Sequence, residues 1–441
     1  MKLREVLEKL QFEGKLAQIR KPVSPELDAA AIISQLGEKP VLFHNIHSSR
    51  YPLVAGMCSS RELLALSLGT AKENLIFRLA EAIRRPKKPE TAQHAHCQEV
   101  VEDRVDLDAL PILTHFPGDG GPFITAAIAV IKDPDTGRNV SYHRLMKIGK
   151  DRFATRLVEG RQTHAAYQKL LKKRKELEIA FCIGNSAAVM LAAAISAAPG
   201  IDEFAIANAL EETKLVKCKT KDLEVPADSE IILEGRITAQ QADEGPFVDL
   251  TETADIRRKQ PVVVIDKITH RRDAIFQALL PGRNEHKLLM GMPREPTIFN
   301  EVSKVCACRN AVITLGGCSW LHAVVQIKKK NDLEPRKAIE AAFKGHSSLK
   351  HCVIVDEDID PTDPLQVEWA IATRFRADKK AVIRKNQPSS SLDPMADKPP
   401  GKKATVTKVG IDATIPLSDK KRPRQKFVKV EYKKVDLREF I

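Results

Sequence analysis

Between Leu107 and Leu279 the chain reads as a succession of short apolar β segments that helices interrupt without regular alternation. This pattern constrains the fold more than any other feature. The segments are Phe123–Ile131, Val140–Ile148, Arg152–Leu157, Ile179–Gly184, Thr213–Lys217, Ile231–Ile237, Pro261–Ile268 and Ala274–Leu279. Asp133-Pro134-Asp135-Thr136-Gly137 supplies a hairpin turn between the first two. Helical patterns intrude only at Thr163–Glu176 and at the alanine-rich Ala187–Ser196. A doubly wound sheet needs strict strand–helix alternation, so a split β-barrel or a mixed sheet with inserted helices fits better. No G-x-G-x-x-G follows a strand and no G-x-x-x-x-G-K-[ST] occurs, which argues against a Rossmann dehydrogenase and a P-loop NTPase.

The flanks differ from this middle. Residues 1–105 alternate short helices and strands, with Ser59 and Ser60 placed to cap a helix through Leu66. After about residue 294, strands at Ala311–Leu315, His322–Ile327, Cys352–Val355 and Ala381–Ile383 alternate with helices at Glu334–Phe343 and Pro364–Thr373. Residues 386–425 are loop-like apart from Val406–Ala413, and are expected to wrap a surface. The expected class is a mixed α+β and α/β protein. It comprises an N-terminal α/β segment (1–105), a central split β-barrel (106–294), a C-terminal α/β domain (295–385) and a basic tail (386–441).

Composition narrows the function. Of 441 residues 43% are hydrophobic, as expected of a water-soluble globular protein. The sequence opens on an amphipathic helix, and its longest weakly polar run, near Ala187–Ala198, is too short to span a bilayer. Eight cysteines lack metal-finger spacing and read as reduced, mostly buried thiols of a cytoplasmic protein. The net charge of +13 gathers at Lys169–Lys175 and Lys398–Lys434, but only 5% of residues are aromatic, so no stacking platform accompanies it. The excess reads first as a solvated basic face, next as attraction for an anionic small-molecule substrate or phosphate cofactor, with a nucleic-acid-binding or scaffold role for the tail as the minor alternative.

One stretch concentrates chemistry. Asp243-Glu244-Gly245-Pro246-Phe247-Val248-Asp249 holds three carboxylates in seven residues, and Gly245-Pro246 keeps it out of a helix. Such a loop can turn Glu244 and Asp249 into one cavity for acid–base work. Further short elements are Asn139-Val140-Ser141-Tyr142-His143-Arg144, Lys217-Cys218-Lys219 with Asp222-Leu223-Glu224-Val225-Pro226-Ala227, Gly317-Cys318-Ser319-Trp320-Leu321-His322 running to Lys329, Asp356-Glu357-Asp358-Ile359-Asp360 and Gly410-Ile411-Asp412-Ala413-Thr414.

In this order, these elements resemble the UbiD-like decarboxylases, which use prenylated flavin mononucleotide, over about residues 40–415. The compact length, Glu285-His286-Lys287 through Pro296, and Ser390-Ser391-Leu392-Asp393-Pro394 resemble an archaeal branch, the anhydromevalonate phosphate decarboxylases. The resemblance implies non-oxidative loss of CO2 from an α,β-unsaturated acid, trans-anhydromevalonate 5-phosphate giving isopentenyl phosphate in a modified mevalonate pathway. An aromatic acid of the polyprenyl-hydroxybenzoate type is the alternative. No side chain can act as the electron sink for this step, so a cofactor must.

The resemblance further implies that Arg144, Glu244 and Asp249 form an ionic triad. Arg144 would orient the substrate carboxylate, Asp249 would protonate carbon and Glu244 would tune Arg144. Prenylated FMN would be held through Asn139, Ser141, Arg144, Gln162, Glu203 and Lys329. Asn139 and Glu203 would ligate Mn2+, with K+ nearby, and Lys329 would be a second phosphate anchor. The histidine usual at the metal falls on Gln162, with His164 two residues on; either the glutamine supplies an amide oxygen, His164 reaches in, or the metal site is looser. A flavin prenyltransferase as cofactor supplier and a homodimer or higher homo-oligomer complete the expectation, without a membrane partner.

Overall fold

A computed structural model describes residues 1–195, 197, 200–398, 403–417, 424–430 and 436. Much of the basic tail, including Lys402, Lys420, Lys421 and Arg422, lies outside the described residues, as do Ser196, Ala198 and Pro199 of the alanine-rich run. The chain forms two compact units, Met1–Pro296 with Leu315–Trp320, and Thr297–Thr314 with Leu321–Ile441.

The first unit is built on a nine-stranded, antiparallel sheet. Its hydrogen-bonded path runs Phe123–Ile124, Leu145–Lys147, Arg152–Thr155, Arg258–His270, Ile231–Glu244, Leu177–Ile183, Ile128–Asp133 and Gly137–Tyr142, with Val100–Val101 beside Arg258–His270. The expected strand Phe123–Ile131 is thus two strands, one at an end of the ladder and one near the other. They share a single run of chain, so the sheet's extremities are joined covalently through residues 125–127 and the ladder is not closed by hydrogen bonds. The expected Val140–Ile148 strand likewise breaks at His143–Arg144, where the chain leaves one partner strand and joins another.

The turn at 133–137 forms as its residues dictate. Asp133 Oδ1 accepts the amides of Asp135 and Thr136 at 2.8 and 3.1 Å, and Gly137 takes φ +84°. Two expectations are corrected in length. The Ile231–Ile237 strand continues to Glu244, because its second half still pairs with Arg258–Pro261, with Ala239–Gln241 and Asp243 exposed and Glu244 buried. The Thr163–Glu176 helix stops at Lys172, where Lys173 caps it and Arg174 turns left-handed at φ +55°.

A four-stranded N-terminal sheet, Ala17–Ile19, Val41–Phe43, Leu53–Ala55 and Phe276–Gln277, packs into the same core as Phe153, Phe181 and Ile231. Helix Leu3–Phe12 buries Leu3, Val6, Leu7 and Leu10, the spacing of one helical face, and leaves Phe12 in water. Ser60 caps Arg61–Ser67 by accepting the Leu63 amide at 3.2 Å. Every residue of helix Ala187–Ala194 is buried, so its small side chains let the sheet and helix Glu203–Leu210 approach on all sides.

The second unit has a five-stranded sheet ordered Ala307–Ile313, His322–Lys328, His351–Val355, Thr405–Asp412 and Ala381–Pro388. The three central strands are parallel and both edges are antiparallel. Thr405–Asp412, read in the sequence as the interruption Val406–Ala413 within a loop-like tail, is an interior strand. Gly410 allows this, since a Cβ there would lie 2.2 Å from Ile339 on helix Glu334–Gly345. All eight cysteines are free, but only four are buried. No helix among the described residues is long and apolar enough to cross a membrane.

Candidate active site

Arg144 occupies the break between the strands Gly137–Tyr142 and Leu145–Lys147. A ladder position would commit its backbone to a neighbour and fix its direction; the break releases the side chain toward the end of strand Ile231–Glu244. Its guanidinium meets three carboxylates. Nε donates to Glu244 Oε1 at 2.7 Å and Nη2 to Glu244 Oε2 at 3.0 Å, a side-on bidentate pair. Nη1 donates to Asp249 Oδ2 and Nη2 to Asp255 Oδ2, both at 2.9 Å.

The Arg144 side chain is 10% exposed and that of Glu244 is 0% exposed. Burial works against the Arg144 charge, yet Glu244, Asp249 and Asp255 outweigh it, so the guanidinium holds its proton more firmly than usual. The cation also lies over the Phe247 ring, 4.6 Å from its centroid, and Phe247 rests on Phe123 at 4.8 Å.

The acid stretch is held from beneath. Glu244 ends its strand, Gly245-Pro246 break the ladder, and Phe247–Val248 pairs with Ala254–Asp255 as a short hairpin whose tip carries Asp249. The loop Gly118-Asp119-Gly120-Gly121 packs against that break, with the Gly120 amide donating to Pro246 O at 2.8 Å. A Cβ at Gly120 would stand 2.2 Å from Gly245 O, so only glycine admits the approach. Asp119 Oδ2 accepts the amides of His115 and Phe116 at 3.0 Å each, and burial pushes its carboxyl above the usual range against the pull of those amides, of the Val248 amide and of Arg144.

A second polar group surrounds Asn139, on the strand that leads to Arg144. Asn139 Nδ2 donates to Gln162 Oε1 at 2.7 Å and approaches Glu203 Oε1 at 3.5 Å; Glu203 Oε2 accepts the Val140 amide at 3.0 Å. Thr163 Oγ1 donates to Asn139 Oδ1 at 3.3 Å, and Ser141 Oγ lies 3.3 Å from His143 Nε2. Glu203 opens the helix that Asp202 caps through the Phe204 amide at 2.9 Å, is 2% exposed, and pairs with no cation among the described residues. Burial pushes its carboxyl up to about 7. Burial also holds His143 down to about 4, so its ring is neutral near pH 7 and brings no positive charge to Glu203.

Of the residues singled out in the sequence, Arg144, Glu244 and Asp249 come together, and so do Asn139, Gln162, Glu203 and Ser141. Gln162, not His164, reaches Asn139; the charge of His164 acts on Glu159. Lys329 is in the second unit, 3% exposed, with Nζ 3.0 Å from Asp332 Oδ1 and 2.7 Å from Thr414 Oγ1. Sequence reading missed Asp255, Arg258 and Asp119. Asp255 and Arg258 carried a signal in their three-residue spacing, and Asp119 in its flanking glycines, but neither pattern names a partner 100 residues away.

Comparison with known proteins identifies the family. The sequence matches the N-terminal, Rift-related and C-terminal domains of 3-octaprenyl-4-hydroxybenzoate carboxy-lyase over residues 7–83, 88–284 and 287–413. It is 42% identical over 421 residues to an anhydromevalonate phosphate decarboxylase of Methanothermobacter thermautotrophicus, covering 94% of this chain and 97% of that one. It is 43% identical over 423 residues to the protein of that name from Methanosarcina mazei, covering 95% and 97%. The UbiD-class enzyme HmfF from Pelotomaculum thermopropionicum, solved in complex with FMN, superposes with a TM-score of 0.93 at 37% identity over 100% of both chains. An evolved dimeric form of HmfF in complex with prFMN gives a TM-score of 0.91 at 36% identity, again over 100% of both chains. With three consecutive domain matches and relatives above 40% identity along nearly its whole length, the chain belongs to the UbiD family of carboxy-lyases.

Proposed function

We propose that this chain is a non-oxidative decarboxylase of an α,β-unsaturated carboxylic acid that works with prenylated FMN, and that its substrate is trans-anhydromevalonate 5-phosphate. The observation that carries the reading is Arg144, a buried cation whose donors meet the carboxylates of Glu244, Asp249 and Asp255. Relatives of that name share more than 40% of the sequence, and the HmfF structures hold FMN and prFMN.

The flavin supplies the electron sink that side chains lack. The rest falls to the protein. Arg144 binds the substrate carboxylate bidentately and orients it. Glu244, dry and side-on, keeps the guanidinium plane fixed. Asp249, at the hairpin tip and 18% exposed, held by Arg144 and by the Leu250 amide at 2.7 Å, is the carboxyl that delivers a proton to carbon once CO2 has left.

The Asn139 group suits a divalent cation. Its donors are hard oxygens from Asn139, Gln162 and Glu203, and Glu203 is a buried carboxyl whose ionisation a cation would favour. Mn2+ bound there would hold the flavin phosphate, with K+ as a further cation and Ser141 among the nearby donors. The decisive experiment loads the protein by co-expression with a flavin prenyltransferase and measures CO2 from anhydromevalonate phosphate and from several aromatic acids. Release from the phosphorylated acid alone supports the reading; release from an aromatic acid alone reassigns the substrate.

A further inference from the structure

Arg144 offers an incoming carboxylate no vacant fork. Of its five N–H groups four are engaged, two with Glu244, one with Asp249 and one with Asp255. The remaining hydrogen, on Nη1, cannot form a bidentate pair alone. A carboxylate that docks on the Nη1–Nη2 edge must displace an acid already there.

The three acids differ in what they would lose. Glu244 is fully buried and has Arg144 as its ion-pair partner, and Asp249 likewise pairs with Arg144. Asp255 has a second cation. Arg258 Nη1 lies 2.6 Å from Asp255 Oδ2, Arg258 Nη2 engages Oδ1, and the Ile256 amide donates to Oδ1 at 2.9 Å. Losing Arg144 would leave Asp255 paired and hydrogen-bonded, whereas either other acid would become a buried or half-buried anion without a counter-charge. Arg144 itself is pinned by the Glu244 pair and the Phe247 ring, so exchange proceeds by the acid moving off the arginine.

We propose that Asp255 is a resident stand-in for the substrate carboxylate, filling the outer edge of Arg144 in the unliganded protein and passing to Arg258 when an acid docks. Asp255 and Arg258 are then positioning residues for the decarboxylation, and the inference rests on the reading that a carboxylate binds at Arg144. The exchange also selects ligands. A neutral analogue cannot replace the charge that Asp255 withdraws, so a carboxylate is admitted and its amide is not.

The test is calorimetric titration of the holoenzyme with crotonate and with crotonamide, alongside KM and kcat for the turned-over acid. Asp255→Asn removes the competing charge and should tighten crotonate binding by about tenfold, the effect of one charge-assisted hydrogen bond. Arg258→Gln leaves Asp255 dependent on Arg144 and should weaken it by a similar factor; the double variant should return to the Asp255→Asn value. KM should follow these shifts while kcat moves little. Equal or weaker crotonate binding in Asp255→Asn, or unchanged binding in Arg258→Gln, overturns the exchange; should the first variant fold poorly, the second decides alone. Absence of turnover with every unsaturated acid counts against the proposed function instead, because crotonate binding reads the exchange without chemistry.

Discussion

Replacing Glu203 by glutamine should stabilise the metal-free protein, increasingly so as pH rises. The Glu203 carboxyl is held up to about 7, against 4.5 for a free glutamate, chiefly by burial. Below pH 4.5 both folded and unfolded chains carry the proton, and the site costs nothing. Between 4.5 and 7 the unfolded chain has released a proton that the native state retains, so stability falls as pH rises and the loss is complete above the folded value. A shift of that size corresponds to about 3 kcal/mol. Glutamine keeps the shape of the protonated acid and escapes the loss.

Urea unfolding of the metal-stripped wild type and Glu203→Gln at about pH 5 and about pH 8 should therefore show the gap between them widening by about 2–3 kcal/mol. Glu285, also pushed up to about 7 by burial, and His143 are common to both proteins and cancel in the difference. Adding Mn2+ at the higher pH should rescue the wild type and leave the variant unmoved. A gap that stays constant across this range, or an equal response of both proteins to Mn2+, would refute the account of Glu203 as a buried acid awaiting a cation.

Three further substitutions probe the rest of the site. Asp249→Asn should fold and retain flavin but lose about a hundred- to ten-thousandfold in turnover, measured as CO2 release, because a positioned proton donor is gone. Glu244→Gln leaves the buried Arg144 without its bidentate partner and should cost about 3 kcal/mol in urea unfolding as well as activity. Gly120→Ala places a methyl group against Gly245 O, so thermal unfolding should report a loss of about 1–3 kcal/mol, and activity should fall with it.

Periodicity and turn chemistry made most secondary structure legible. The helix Leu3–Phe12, the Ser60 cap, the 133–137 hairpin and the strand–helix alternation after His322 follow from local residue choice. What local patterns cannot carry is an interruption. Nothing in Phe123–Ile131 signals that the run serves both extremities of the sheet, since an apolar strand looks alike whichever neighbour it pairs with. Glu244 and Asp249 stood out in the acid stretch itself, whereas Arg144 and its pairing with them were legible only through resemblance to a family. Asp255, whose role depends on Arg258 and Arg144 together, belongs to no motif and needed coordinates. That Val406–Ala413 interrupts the loop-like tail was legible, but its place inside the sheet was not, because buried Lys408 and Gly410 against Ile339 look like surface composition.

Arg144 and Glu244, the side chains proposed to serve the substrate, stand at a strand break and at a strand end, so the interior of the sheet does not depend on their identity. Substitutions at such points would change the site while the hydrogen-bonded frame stays intact. This gives the architecture evolvability: new acids can be accommodated by changing residues at the interruptions and leaving the ladder alone.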